Sequence, residues 1–280
     1  MKTILVPTDF SELARNATEL AAQLAQKVGA KLIMLHVVED ASVASIQYTG
    51  ELVMPQIEDR LYIFKLIENS KKEFASLQSK YGDLDIQEEI RVGNPYYSVQ
   101  DMIKEYDIDL IVMGTKGASG AKEFFIGSNA EKVVRHAKCP VITVHDHVNA
   151  ADINTVVFAT GLKDAQGDHI NILRKLHEYF DFEVHILRVN TPNNFQVDRD
   201  SLNELQEYGE KSGIGNYQIR VYNDVTEEEG ILHYADDIDA DMIVMATHGR
   251  KGLAHLIAGS IAEGVVNHTK RPVLTFSMKH

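Results

Sequence analysis

Two periods alternate along the first half of the chain. Short runs rich in apolar and β-branched residues, TILVPT (3–8), KLIMLHVV (31–38) and LIVM (110–113), read as strands buried on both faces. DIQEEIRV (85–92) has period-two character, and PVITV (140–144) closes the series. Between them the period is that of a helix. Leu13, Ala17, Leu20, Leu24 and Val28 follow Ser11, a capping residue, and end at Gly29, a helix stop. A second helix around 57–81 is expected to place Leu61, Phe64, Phe74 and Leu77 on one side. NPYYSVQDMIKEY starts a third, with Asn94 as cap and Pro95 at the first position, and Ser128 to His136 forms a fourth. Strands alternating with helices make a parallel sheet covered on both faces. Five such strands predict a Rossmann-like or flavodoxin-like α/β layer, whose ligand site lies at the carboxyl ends of the strands near the topological switch point.

The second half repeats the first. Residues 107–144 lie over 239–276 with an offset of 132, and about half the positions are identical. HAKCPVITV (136–144) answers HTKRPVLTF (268–276). Near the start the offset is 152, where TILVPTD (3–9) lies over TVVFATG (155–161). The second copy therefore lacks about 20 residues, the difference of the two offsets, after its second strand, where the first copy carries the segment 39–59. A repeat of this length is a duplicated domain rather than a solenoid unit. The polar stretch DHVNAADIN separates two domains, 1–147 and 153–280, each with its own five-stranded parallel sheet and helices on both faces.

Bulk properties narrow the function. The net charge is −13, which argues against a phosphate-backbone footprint and so against nucleic acid as a partner. No apolar run approaches the roughly 20 residues that cross a bilayer, and MKTILVPTDF is too short in its apolar part for a signal peptide, so neither a membrane partner nor export is expected. Cys139 is the sole cysteine, sits in an apolar run and suits a reducing cytoplasm as a buried, inert thiol.

The candidate chemistry is the loop MGTKGASGAKEFFIGSNAE (113–131). It leaves the carboxyl end of strand four, where the ligand belongs. Gly114 ends the strand, Gly117 follows in a turn, and Gly127-Ser128 opens a helix. Glycine admits close backbone approach, and a helix start offers free N–H groups and a positive dipole end, which suit a phosphate. The same residues also read as plain structure: Ser128-Asn129-Ala130-Glu131 and Ser260-Ile261-Ala262-Glu263 are both S-x-x-E capping boxes. The loop is neither a Walker A motif nor G-x-G-x-x-G.

Gly114-x2-Gly117-x9-Gly127-Ser128, with the opening Val6-Pro7-Thr8-Asp9-Phe10-Ser11 and with Leu35-His36-Val37, resembles the universal stress protein family in its tandem two-domain form. The resemblance spans essentially the whole chain and implies an adenine nucleotide α-hydrolase-like fold. It implies that the first copy binds ATP, ADP or AMP, with Mg2+ as the companion ion. Asp9 would hydrogen-bond the ribose or adenine side, with Pro7 and Thr8 shaping the pocket. Val37 would meet adenine through its backbone, Met113 and Gly114 would line the ribose, and Gly117, Gly127, Ser128 and Asn129 would hold the phosphates. Gly93, in VGNP, matches a family glycine beside the pocket. The second copy departs from the pattern: Gly161 answers Asp9, Ala159 answers Pro7 and Ala246 answers Gly114, while VYND (221–224) stands near the VGNP position with no glycine. It keeps Gly249, Gly259 and Ser260, a weak second site at most. Family members pair their last strands, so CPVITV and RPVLTF are expected to join the two halves as an intramolecular pseudo-dimer, with a further homodimer open.

Other residues tempt less. His145-Asp146-His147 is the tightest histidine cluster, but no converging metal ligands are identifiable and no metal site is assigned. His136 and His268 match each other inside the fourth helix of each copy, which suggests structure; Lys116 and His248 lie on the loops. The apolar 39–59 segment is a candidate lid over the first pocket or a pad against the second copy. No catalytic residue is assigned. The expected function is a cytoplasmic nucleotide-binding stress-response protein. The competing functions are a slow ATPase or phosphotransferase and a nucleotide-independent scaffold or small-molecule module.

Overall fold

The computed structural model describes residues 1–39, 57–115, 126–161, 168–248 and 255–278; for 57–59, 168, 169, 247, 248, 255–260, 277 and 278 it describes the backbone alone. Residues 40–56 of the candidate lid, Gly117, Lys116 and Gly249 lie outside the described residues, as does the side chain of His248. The first half runs β1 (Thr3–Pro7), α1 (Glu12–Val28), β2 (Lys31–Val38), α2 (Ile57–Lys80), β3 (Ile86–Val92), α3 (Pro95–Glu105), β4 (Leu110–Gly114), α4 (Ser128–His136) and β5 (Val141–Val144). A short 3₁₀ turn, Ala150–Asp152, leads to the second: β6 (Thr155–Ala159), α5 (Asp168–Phe180), β7 (Glu183–Asn190), α6 (Asp198–Ser212), β8 (Tyr217–Asn223), α7 (Glu227–Asp237), β9 (Met242–His248), α8 (His255–His268) and β10 (Val273–Met278).

The strand order is β3-β2-β1-β4-β5-β10-β9-β6-β7-β8 in a single ten-stranded sheet. Within each half all pairs are parallel, in the 3-2-1-4-5 order of a Rossmann-like layer. The halves meet where β5 and β10 run antiparallel, with Val273 opposite Thr143 and Thr275 opposite Val141. The expected end-strand pairing thus occurs within one chain. Alternate strand residues feed the two faces: Ile4 and Val6 belong with Leu20 and Leu24 to a core layer on one side that runs on to Phe158 in the second half, and Leu5 belongs with Ile33 and Ile111 to the layer on the other, which runs on to Val157. Both faces are dry, as parallel strands require.

The helix ends follow their sequence signals. Ser11 accepts from the Ala14 N–H at 3.3 Å, and Gly29 closes α1 in the left-handed region at φ 67. Asn94 caps α3 through the Tyr97 N–H, with Pro95 first. One expectation fails on helical phase. Phe74 is fully buried and Leu77 half-buried, but Leu61 and Phe64 are exposed. The inward stripe is Ile63, Leu66, Ile67, Ser70, Phe74 and Leu77, at the i, i+3/i+4 spacing that Leu61 and Phe64 do not share. A pair of matched carboxylates also escaped the sequence reading. Asp109 Oδ2 accepts from the Thr3 N–H at 3.1 Å, and its counterpart Asp241 from the Asn154 and Thr155 N–H groups at 2.8 and 2.9 Å. Each ties the start of a first strand to the start of a fourth.

Candidate nucleotide site

The order 3-2-1-4-5 puts the switch point between β1 and β4. A cavity of about 420 Å³ opens there at the carboxyl ends of the strands. Nine of the residues singled out from sequence line it: Pro7, Thr8, Asp9, Val37, Met113, Gly114, Gly127, Ser128 and Asn129. Gly93 is not among the lining residues. It takes φ 137, a region that favours glycine, and its N–H donates to the Val38 carbonyl at 2.9 Å, so its role is to turn the chain between β3 and α3. Pro95, of the VGNP stretch, also lines the cavity, as do Glu39, Thr115 and Val99, which carry no motif that would mark them.

One end of the cavity is held by a tight turn after β1. The Thr8 N–H donates to the Leu35 carbonyl at 2.8 Å, and the Thr8 hydroxyl accepts from the Phe10 N–H at 3.0 Å. Asp9 Oδ1 accepts from the Ser11 N–H at 3.0 Å, an Asx turn that fixes the carboxylate. Phe10 pays with a left-handed φ of 63 and packs its ring on His36 and Phe74, with centroids 4.6 and 5.1 Å away. His36 Nδ1 lies 2.8 Å from the Thr8 carbonyl oxygen, an acceptor, so Nδ1 carries the proton and donates. His36 is therefore a positioning residue for the Asp9 turn. Sequence placed it in a motif without giving it that work.

The opposite end is the start of α4. Its N-cap is Gly127, not Ser128, and no side chain caps it. This corrects the capping-box reading of the first copy: Ser128 is the first helical residue, and it is exposed. The first intrahelical bond runs from the Glu131 N–H to the Gly127 carbonyl at 2.9 Å. The N–H groups of Ser128, Asn129 and Ala130 precede the ladder, and all three residues line the cavity. Gly114 has a packing reason as well. A Cβ there would stand 3.0 Å from the Leu13 backbone carbon and oxygen, so glycine lets α1 close over the end of β4.

The second half has a cavity of about 350 Å³ in the same place, lined by Ala159, Thr160, Gly161, Leu187, Val189, Met245 and Ala246 among others. The shared backbone bond persists, from the Thr160 N–H to the Leu187 carbonyl at 3.1 Å. The chemistry differs. Gly161 offers no carboxylate, and a Cβ there would meet nothing within 4 Å. Arg188 replaces His36 and pairs with Glu204 at 3.1 Å. Glu227 opens α7 where Pro95 opens α3, and its carboxylate accepts from Asn194 at 2.6 Å. Gly259 and Ser260 lie inside α8, which spans His255–His268. Retaining those residues therefore does not retain a helix start at them, which corrects the inference drawn from motif letters alone. The turn position of Gly93 is occupied by Asp224, whose N–H donates to the Asn190 carbonyl at 3.0 Å; the VYND comparison was out of register.

The histidine cluster disperses. His145 contacts Thr115 and the Val266 carbonyl, while His147 faces Glu19 at 3.6 Å. Among the described residues no group of three or more metal-ligating side chains converges. His268 bonds Glu228 at 2.7 Å, and His136 packs near Tyr96. Cys139 is buried. No described helix is long and apolar enough to cross a membrane.

Comparison with known proteins agrees with this layout. The family model described as "Universal stress protein family" matches residues 1–145 and again 153–277. A universal stress protein of Synechocystis is 25% identical over 99% of this chain and 100% of its own length. One from Bacillus subtilis is 31% identical over 50% of this chain and 97% of its own length. The crystal structure of a universal stress protein from Archaeoglobus fulgidus superposes with a TM-score of 0.74 at 23% identity, covering 98% of this chain and 96% of that one.

Proposed function

Because this chain belongs to the universal stress protein family, we propose that its first half binds ATP or a related adenine nucleotide. The observation that carries the reading is one cavity with two unlike ends. A carboxylate fixed by a strained turn stands at one end, and three helix N–H groups without a partner among the described residues, with an exposed serine hydroxyl, stand at the other. The first end suits hydroxyl donors of a ribose, the second a phosphate. The volume lies within the roughly 300–1,000 Å³ of ordinary small-molecule sites. Leu35, Val37 and Val99 supply an apolar wall for a base. Mg2+ would travel with the phosphates. Occupancy, rather than turnover, is the signal in a cytoplasmic stress-response role, and the second half acts as the packing partner.

The test is thermal unfolding of nucleotide-free protein with and without ATP·Mg2+. A ligand that binds the folded state raises Tm in proportion to the logarithm of its concentration. We expect that dependence for ATP, ADP or AMP and none for inorganic phosphate at equal concentration. A Tm indifferent to all three nucleotides would defeat the proposal.

A further inference from the structure

The two described flanks of the first copy's glycine loop, Thr115 and Ile126, are held from the second copy. Both of its described flanks end on the same stretch of α8, Val266–Asn267. On the entering side, Thr115 is fully buried and its carbonyl accepts from the Gly127 N–H at 2.7 Å. Its hydroxyl lies 3.0 Å from His145 Nδ1, and His145 Nε2 lies 2.8 Å from the Val266 carbonyl. A carbonyl only accepts, so Nε2 carries the proton, and in the neutral ring Nδ1 accepts from the Thr115 hydroxyl. On the leaving side, the Ile126 N–H donates to Asn267 Oδ1 at 2.6 Å. Gly127 follows at once as the N-cap of α4, and the three cavity-facing N–H groups come next.

Among the described residues this support has no mirror image. The counterpart of Asn267 in the first copy is Arg135, which grips Glu263 through two bonds of 2.6 and 2.8 Å. The counterpart of His145 is Ser277. Among the described residues the pseudo-two-fold axis thus relates the strands but not these contacts.

We propose that Asn267, together with the His145 bridge to Val266, is a built-in clamp that positions the phosphate end of the first copy's site, so that the second copy completes that site. The inference rests on the nucleotide reading for its functional half alone. A buried N–H that loses its acceptor pays its desolvation in full, so the Ile126–Gly127 backbone shifts or opens rather than leave the donor bare. The cradle N–H groups, one to four residues on, move with it.

The experiment uses the full chain. Backbone amide exchange at Ile126 and Gly127, followed by NMR, reads the clamp directly, and ATP titration reads its consequence. In Asn267→Ala the Ile126 amide is expected to exchange roughly tenfold faster and ATP to bind roughly tenfold more weakly. Asn267→Asp keeps an acceptor oxygen and should restore the protection. His145→Ala releases the other flank and gives a second, independent arm should Asn267→Ala fold poorly. Arg135→Ala breaks a contact between the halves that involves neither described flank of the loop, and should leave both readouts unchanged. Unaltered Ile126 exchange in both Asn267→Ala and His145→Ala overturns the clamp, as does equal loosening in Arg135→Ala. If wild-type protein binds no ATP, the nucleotide reading fails, and the exchange data still decide whether the clamp exists.

Discussion

The two cavities stand at equivalent points of one sheet and share their backbone frame, yet among the described residues the helix after the fourth strand of each half begins at the cavity edge only in the first. In the first half Gly114 lets α1 close over β4, and α4 starts at the cavity edge with Ser128 exposed. In the second half Ala246 replaces that glycine, and α8 carries Gly259 and Ser260 within its length. The second copy has kept Gly259 and Ser260, but no helix starts at them. A duplicated fold needs its strands, its caps and its Asp109 and Asp241 ties in both copies. On the proposed function, it needs a ligand site in only one.

Four substitution sets test that contrast. Gly114→Ala should have the largest effect, because its Cβ would press on the Leu13 backbone at 3.0 Å and backbone cannot swing aside. We expect a stability loss of about 3 kcal/mol in urea unfolding, against about 1 kcal/mol or less for the mirror change Ala246→Gly. Equal losses would mean the two positions do the same work.

Asp9→Ala removes a charge-assisted acceptor and should weaken ATP by about 2 kcal/mol, roughly 30-fold in calorimetry. Asp9→Asn, which keeps the acceptor for the Ser11 N–H, separates loss of charge from loss of the turn. Gly161→Asp has open space for its side chain, yet should not create a second ATP site, because no helix begins at Ser260. A gained site would show that the carboxylate alone distinguishes the halves.

Ser128→Ala should cost about 1 kcal/mol of ATP binding, the worth of one neutral hydrogen bond. Ser260→Ala should cost nothing measurable in the same titration.

The smallest effect concerns stability against pH and belongs to the second half. His233 Nδ1 lies 2.7 Å from Asp224 Oδ2, and that bond raises the imidazole pKa above its ordinary value. The contribution is whole below pH 6.5 and is lost as pH rises through the raised value. Asp224 is lowered by the same partner, so its share is lost only in acid. The pair is exposed, so the slope should be slight. His233→Asn should flatten Tm between pH 6 and 8. The first half, with Gly93 and Asp101 in the corresponding places, has no such pair to lose.

Much of this was legible in the sequence because local rules govern it. The Ser11 and Asn94 caps, the Gly29 stop and the apolar strands each follow from a few neighbouring residues. The family resemblance, applied to the repeat, predicted that the last strands of the two halves pair; their antiparallel direction comes from the structure. What escaped was set by phase or by distance. Leu61 and Phe64 were apolar but off the helical stripe. Ser128 matched a capping box while the chain entered the helix one residue earlier, at Gly127. Glu39 and Thr115 reach the cavity only through the sheet register. Asn267 meets Ile126 across 141 residues, and no spacing in one sequence announces a contact of that kind.

The asymmetry of the halves is tested most directly by counting sites. Nucleotide-stripped protein titrated calorimetrically with ATP·Mg2+ should show one site per chain, lost or greatly weakened in Asp9→Ala and unchanged in Ser260→Ala. Two sites of similar affinity, or one that survives Asp9→Ala and disappears in Ser260→Ala, would contradict the account.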